Sequence, residues 1–170
     1  MDNDRPAPVR DAIADDMTAE QLIARYLAGP ALVRDAIAGM SAEQLHARPI
    51  PGKMSTHDVV THIVDSEGGL GGRIKRALAA EEPPRMQGAG GHPDPVSDPD
   101  RDLGADLERL EAAREQMAEE LRQIPADVWD RVAMRREDRA TTVRQLLILM
   151  TRHLENHVAT IEEKRAALGL

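Results

Sequence analysis

The 170-residue sequence has no cysteine and no phenylalanine, and Tyr26 and Trp129 are its only tyrosine and tryptophan. Without thiols there is no disulfide framework, no zinc–thiolate site and no protein thiol nucleophile, so any metal must be held by histidines and carboxylates. The shortage of aromatic and β-branched runs argues against a sandwich or barrel. A core of Leu, Ile, Val, Met and Ala in a chain rich in Ala, Leu, Glu and Arg favours helices packed on helices. Basic charge is also short, with 30 acidic against 22 basic residues and a net charge of −8. That balance offers no sequence-wide positive field for a nucleic acid or an anionic lipid surface, and neither is expected as a partner. No segment approaches the ~18 unbroken apolar residues of a membrane span, and the stretch Met1-Asp2-Asn3-Asp4-Arg5-Pro6 is polar, so a cytoplasmic protein is expected.

The remaining pattern predicts one all-α domain. Residues 1–17 are charged, carry two prolines and show no lasting period, which predicts a flexible leader ahead of a single domain over 18–170. Leu22, Tyr26, Val33, Ile37 and Met40 recur at helical spacing from Thr18 to Gly39, with Pro30 kinking or briefly breaking the helix. Ser41-Ala42-Glu43-Gln44 has the form of a capping box and opens a short turn, and Pro49-Ile50-Pro51-Gly52 is a linker. A second long helix runs from Ser55 or Thr56 to Ala80 through Val59, His62, Ile63, Leu70, Ile74 and Leu78. Gly68, Gly69, Gly71 and Gly72 lie in its middle at a cost of roughly 1 kcal/mol each relative to alanine. Close approach of another backbone or a ligand would offset that cost; a helix break is the alternative. Glu81–Asp100 is a Pro-, Gly- and Asp-rich connection expected to form an exposed flap. The third helix carries Leu103, Leu107, Leu110, Arg114, Met117, Leu121 and Ile124 as a bundle seam and stops at Pro125, after which Asp127-Val128-Trp129 forms a turn that buries the tryptophan. The last helix runs from Thr141 or Thr142 to about Leu168. Together these predict a four-helix bundle with a long crossover loop between helices 2 and 3.

Two histidines interrupt the apolar stripe of the last helix. His153 and His157 are four residues apart, so on one helical face their Cβ atoms lie ~5 to 6 Å apart and both imidazoles can reach one ion. Buried imidazoles must satisfy their ring nitrogens internally, which core filling does not explain. His62, between Val59 and Ile63 on the second helix, supplies a third inward imidazole. Three neutral imidazoles suit Zn, Ni or Fe and leave coordination positions open. Asp65 and Glu67 are near enough in sequence to His62 to orient it, though helix-face carboxylates are usually just solvated. Arg73 and Arg114 could meet an anionic substrate, the plainer reading being side chains that snorkel at the bundle edge. His57 is expected to decorate the surface, His46 to sit in an exposed turn and His92 in the loop.

The run Lys53-Met54-Ser55-Thr56-His57-Asp58-Val59-Val60-Thr61-His62-Ile63-Val64-Asp65-Ser66-Glu67, followed by His153-Leu154-Glu155-Asn156-His157, resembles the DinB-like superfamily, which includes YfiT-like hydrolases and bacterial thiol-dependent S-transferases. The likeness covers about residues 20–168. Met54 stands where that family commonly has Trp. The resemblance implies a four-helix bundle with His62, His153 and His157 as ligands of a divalent metal. It also implies an enzyme acting on a small-molecule substrate, by transfer involving a low-molecular-weight thiol or by hydrolysis. A homodimer is expected, because relatives often pair and the glycines at 68, 69, 71 and 72 would let two helix surfaces approach. The alternative is a non-catalytic binding or stress-related bundle that keeps the histidines as a structural site.

Overall fold

The computed structural model describes residues 17–79, 98–135 and 140–170. Its helices are α1 (Ala19–Leu27), α2 (Gly29–Ile37), the short α3 (Ala42–His46), α4 (Thr56–Ala79), α5 (Leu103–Arg122) and α6 (Val143–Ala167). The leader through residue 16, most of the flap and His92 lie outside the described residues.

Local chemistry sets where these helices begin. Thr18 with Gln21, Ser41 with Gln44 and Thr142 with Gln145 each form a reciprocal capping box, in which both partners satisfy an otherwise orphaned backbone N–H. Ser55 and Asp58 do the same at the start of α4: the Ser55 hydroxyl accepts from the Asp58 N–H, and the Asp58 carboxylate accepts from the Ser55 N–H. Asp102 caps α5 by accepting from Gly104 and Ala105.

Two apolar clusters fill the bundle and give the helix directions. In one, Leu22, Ile23 and Tyr26 of α1 meet Leu70 and Ile74 of α4, Met117 and Leu121 of α5, and Leu146, Leu147 and Met150 of α6. In the other, Val33 of α2 meets Val59, Val60 and Ile63, then Leu103, Leu107 and Leu110, and finally Leu154, Val158 and Ile161. The N-terminal halves of α4 and α5 thus share one cluster and run parallel, whereas α6 opposes both. Parallel neighbours cannot be joined by a tight turn, which is why a connection of more than 20 residues separates α4 from α5. The glycine-rich stretch does not break α4, which is continuous over Thr56–Ala79. A Cβ on Gly71 would lie 3.4 Å from Met117 Cε and 3.9 Å from Met150 Cε, so that glycine lets the three helices close together, while one on Gly68 would meet nothing within 4 Å.

The turn after α5 is a 3-10 segment, Ala126–Asp130, with Trp129 buried as expected. The sequence reading missed a small hairpin that follows it. Val132–Arg135 (β1) pairs antiparallel with Ala140–Thr142 (β2), and Ala133 is fully buried. Its strands are too short to show a period against the charged residues between them, so packing on the bundle end decides their form.

The two clusters meet at a buried arginine. Pro30 has no N–H to give to the Tyr26 carbonyl, and the first helix divides there into α1 and α2 around Ala28. The Tyr26 oxygen accepts instead from the Ala28 N–H, which it shares with Ala24, and from Nη1 of Arg114, at 2.6 Å. Nε and Nη2 of Arg114 donate to Glu67 at 3.1 and 2.8 Å, the Tyr26 hydroxyl donates to the same carboxylate, and the guanidinium lies 4.3 Å from the Tyr26 ring centroid. Arg114 is 1% exposed, so it neither snorkels at the bundle edge nor reaches a substrate. A Cβ on Gly29 would collide with Arg114 Nη1 and come within 2.9 Å of Leu154 Cδ1, which requires glycine at the start of α2.

Removing one member of a buried ion pair strands the other. Arg114→Met is therefore expected to lower unfolding free energy by about 3–5 kcal/mol, measured by urea denaturation, and the added change Glu67→Gln, which still accepts from Tyr26, should recover a large part of it. A single variant as stable as the wild type would show that the pair does not hold the bundle.

Candidate metal centre

His62 projects from the second turn of α4, and His153 and His157 project from successive turns of the antiparallel α6. The four-residue spacing puts the α6 pair on one face, and the shared cluster of Val59, Val60 and Ile63 with Leu154, Val158 and Ile161 sets the height at which α4 meets it. His153 Nε2 stands 3.3 Å from His62 Nε2 and 3.2 Å from His157 Nε2. One nitrogen from each ring lies within 4.8 Å of the other two, and all three residues are half-buried.

This arrangement poses a hydrogen-bonding problem that a cation solves. A neutral imidazole carries one N–H, so three convergent ring nitrogens cannot satisfy one another pairwise: at least two present the same group, lone pair to lone pair or N–H to N–H, unless a cation takes the lone pairs. Burial pushes His157 down to about 3, and the neighbouring charges of His153, His62 and Lys164 act in the same direction, so its imidazole is neutral at physiological pH. A tetrahedral ion with metal–nitrogen bonds of 2.0–2.1 Å spaces its ligand atoms about 3.4 Å apart, close to the two separations seen here. The three residues therefore fit a divalent transition metal.

Three carboxylates near these histidines in sequence, Asp65, Glu67 and Glu155, are engaged by arginines. Asp65 is exposed and accepts two bonds from Arg101, at 2.7 and 2.9 Å. Glu67 faces away into the Arg114 cluster. Glu155, between the two α6 histidines in sequence, is held by Arg25 at 2.7 and 3.1 Å. The suggestion that Asp65 or Glu67 orients an imidazole thus finds its carboxylates committed elsewhere, and Arg73 is half-buried on α4. A group not singled out from sequence is Ser66, whose buried hydroxyl lies 3.5 Å from His62 Nε2. Its position four residues after His62 was the available signal. Lys164, seven residues after His157, was also missed and is buried on the same helix.

His57 is not a surface residue. It is 3% exposed, its Nε2 is 3.0 Å from the Arg101 carbonyl oxygen, and its ring lies 4.5 Å from that of the exposed His46. The docking of α5's N-terminus covers it, which a helical period cannot reveal.

The family model of the DinB superfamily matches residues 25–161, and the chain belongs to that superfamily. A solved structure, YfiT from Bacillus subtilis, is described as a probable metal-dependent hydrolase with an unusual four-helix bundle topology. This chain is similar to it with a TM-score of 0.75 and 22% identity, covering 94% of this chain and 92% of that one, a likeness of fold. No curated protein matches the sequence.

The depressed His157 has a measurable consequence in the metal-free protein. Because the unfolded imidazole takes up its proton near 6.5 and the folded one only near 3, stability present above pH 6.5 is lost progressively as pH falls toward 3. Urea midpoints of metal-free wild type should fall more steeply across that window than those of His157→Gln. Equal slopes would show that the imidazole titrates normally.

Proposed function

We propose that this protein is a divalent-metal-dependent enzyme acting on a small molecule, with His62, His153 and His157 as the metal ligands. The observation that carries the reading is the convergence of three imidazole nitrogens from two helices, at spacings suited to one ion and with the nearby carboxylates engaged by arginines. A divalent ion held by three neutral imidazoles keeps coordination positions open and acidifies a bound water or thiol near neutral pH. The chain's own residues hold the three lone pairs toward a common point, keep His157 unprotonated by burial, and place the Ser66 hydroxyl beside the His62 donor atom.

Two nucleophiles suit such a centre. Transfer involving a low-molecular-weight thiol is the first reading, drawn from the superfamily resemblance, and the thiol must come from outside because the chain has no cysteine. Hydrolysis is the second, supported by the description of the Bacillus subtilis protein of similar fold. Pairing of two chains is part of the same proposal: Gly68 and Gly69 lie exposed on α4, and Gly68 leaves open space where a second helix could approach. No helix among the described residues is long and apolar enough to cross a membrane.

His153→Ala and His157→Ala are each expected to remove stoichiometric metal, measured by elemental analysis of untagged protein. Unchanged metal content would refute the ligand set. The zinc-, nickel- and iron-loaded proteins should then be offered a panel of small thiols with an electrophilic acceptor, and separately a panel of esters and amides. Turnover confined to one panel and abolished in both variants identifies the nucleophile. Turnover that survives the substitutions, or none with either panel, would favour a non-catalytic bundle. Light scattering at micromolar concentration should give the mass of two chains, and a monomer mass would remove the pairing.

A further inference from the structure

Ser66 is 2% exposed, and among the described residues its hydroxyl has one hydrogen-bonding neighbour, His62 Nε2 at 3.5 Å. A hydroxyl inside a helix ordinarily donates to a carbonyl of its own preceding turn. Thr61, Thr151 and Thr160, the other hydroxyls beyond the first turns of α4 and α6, do so, to the Asp58, Leu147 and His157 carbonyls at 3.0, 2.8 and 2.7 Å. Ser66 turns instead to an imidazole, and to the nitrogen of it that faces His153 Nε2 at 3.3 Å. The backbone here is held by the next residue, because Glu67 is bound by Arg114 and by the Tyr26 hydroxyl. At 3.5 Å the contact is at the long end of hydrogen bonding, so the hydroxyl is enclosed but weakly served.

That contact and ligation of an ion compete for one lone pair. A neutral imidazole has a single unprotonated nitrogen, so once His62 Nε2 gives its lone pair to an ion, the Ser66 proton loses the acceptor it has in the metal-free protein. A buried donor without a partner is costly, and the carboxylates that could accept from it are committed: Glu67 to Arg114 and Asp65 to Arg101. The hydroxyl stands beside a cluster of three protein ligands, which leaves coordination positions open. Serine is not among the usual ligands of zinc, which takes thiolate, imidazole and carboxylate. The acceptor that satisfies it is therefore an atom arriving from outside the chain.

We propose that Ser66 binds the reacting group: with the ion in place, its hydroxyl donates to the exogenous ligand in an open position and selects ligands whose donor atom is an anionic acceptor, such as hydroxide or thiolate. This role rests on the metal reading. Its chemistry is a charge-assisted hydrogen bond, stronger to the deprotonated ligand than to the neutral one, so the same hydroxyl favours the nucleophilic form and fixes its orientation.

The test uses the full chain loaded with cobalt(II), whose visible absorption follows its ligands, and azide as the anionic probe. Ser66→Ala removes only the hydroxyl, at a helix position where alanine is favoured. It should take up stoichiometric cobalt with an affinity within about 3-fold of wild type, because the hydroxyl has a partner with and without the ion. It should bind azide about 10-fold or more weakly, as expected for loss of one hydrogen bond to a charged group. Ser66→Thr keeps the hydroxyl and should bind azide within about 3-fold of wild type. Equal azide affinity in wild type and Ser66→Ala overturns the proposal, and so does the absence of saturable azide binding. An equal loss in Ser66→Ala and Ser66→Thr overturns it as well, since the shape of the side chain and not its hydroxyl would then matter. Cobalt affinity distinguishes two other roles: a gain of about 10-fold in Ser66→Ala would show a hydroxyl that only competes with the ion for His62, and a comparable loss would show a direct ligand. Either result overturns the proposal. Cobalt retained in full by His157→Ala would refute the metal reading and this role with it, whereas cobalt lost there but kept in Ser66→Ala, with azide binding unchanged, refutes the role of Ser66 alone.

Discussion

The backbone carbonyl that Pro30 cannot serve organises the middle of this bundle. A proline inside a helix releases a carbonyl that must find another donor, and here a guanidinium reaching across from α5 supplies one. Once Arg114 is committed to Tyr26 its charge must be neutralised in the interior, and Glu67 of α4 does so while also accepting the Tyr26 hydroxyl. Those contacts tie three of the four bundle elements at one height, and the guanidinium leaves no room for a side chain on Gly29. A buried pair of this kind contributes little net energy over an apolar replacement, but it penalises any sliding of α4 against α5, because either partner alone would be an uncompensated charge.

That positioning matters one turn away. Ser66 precedes Glu67 and reaches His62, so the residue that anchors α4 to α5 adjoins the one that touches the candidate ligand. Arg25 of α1 likewise holds Glu155 between the two α6 histidines in sequence. With Asp65 on Arg101, these three carboxylates are drawn into ion pairs, and the donor cluster among the described residues is nitrogen alone. An all-imidazole set favours borderline transition metals over calcium or magnesium, which prefer oxygen. The arginines thus shape the chemistry of the centre without entering it.

Much of this was legible in the amino-acid order. Helical periodicity, Pro30, the capping boxes and the leucine seam of α5 specify four long helices, because each depends on residues within a turn or two of one another. The superfamily resemblance pointed to His62 together with His153 and His157, and their inward stripes gave the physical reason. Contacts between segments distant in sequence were not legible. Arg114 read as an edge side chain and His57 as a surface one, since nothing local to them announces Glu67 or the start of α5. Lys164 escaped notice because a lysine near the end of a helix is ordinarily a solvated charge.

By itself, then, the sequence determined the helices, their ends, the crossover and which three imidazoles face inward, all consequences of periodicity and local hydrogen bonding. Tertiary structure alone decided which carboxylates pair with which arginines, that the glycine-rich stretch of α4 stays helical, that residues after Trp129 form a hairpin, and that Lys164 is enclosed. Each of those turns on desolvation by a partner far along the chain, and a charge or polar group acquires its energetic meaning only when it is known what displaces its water.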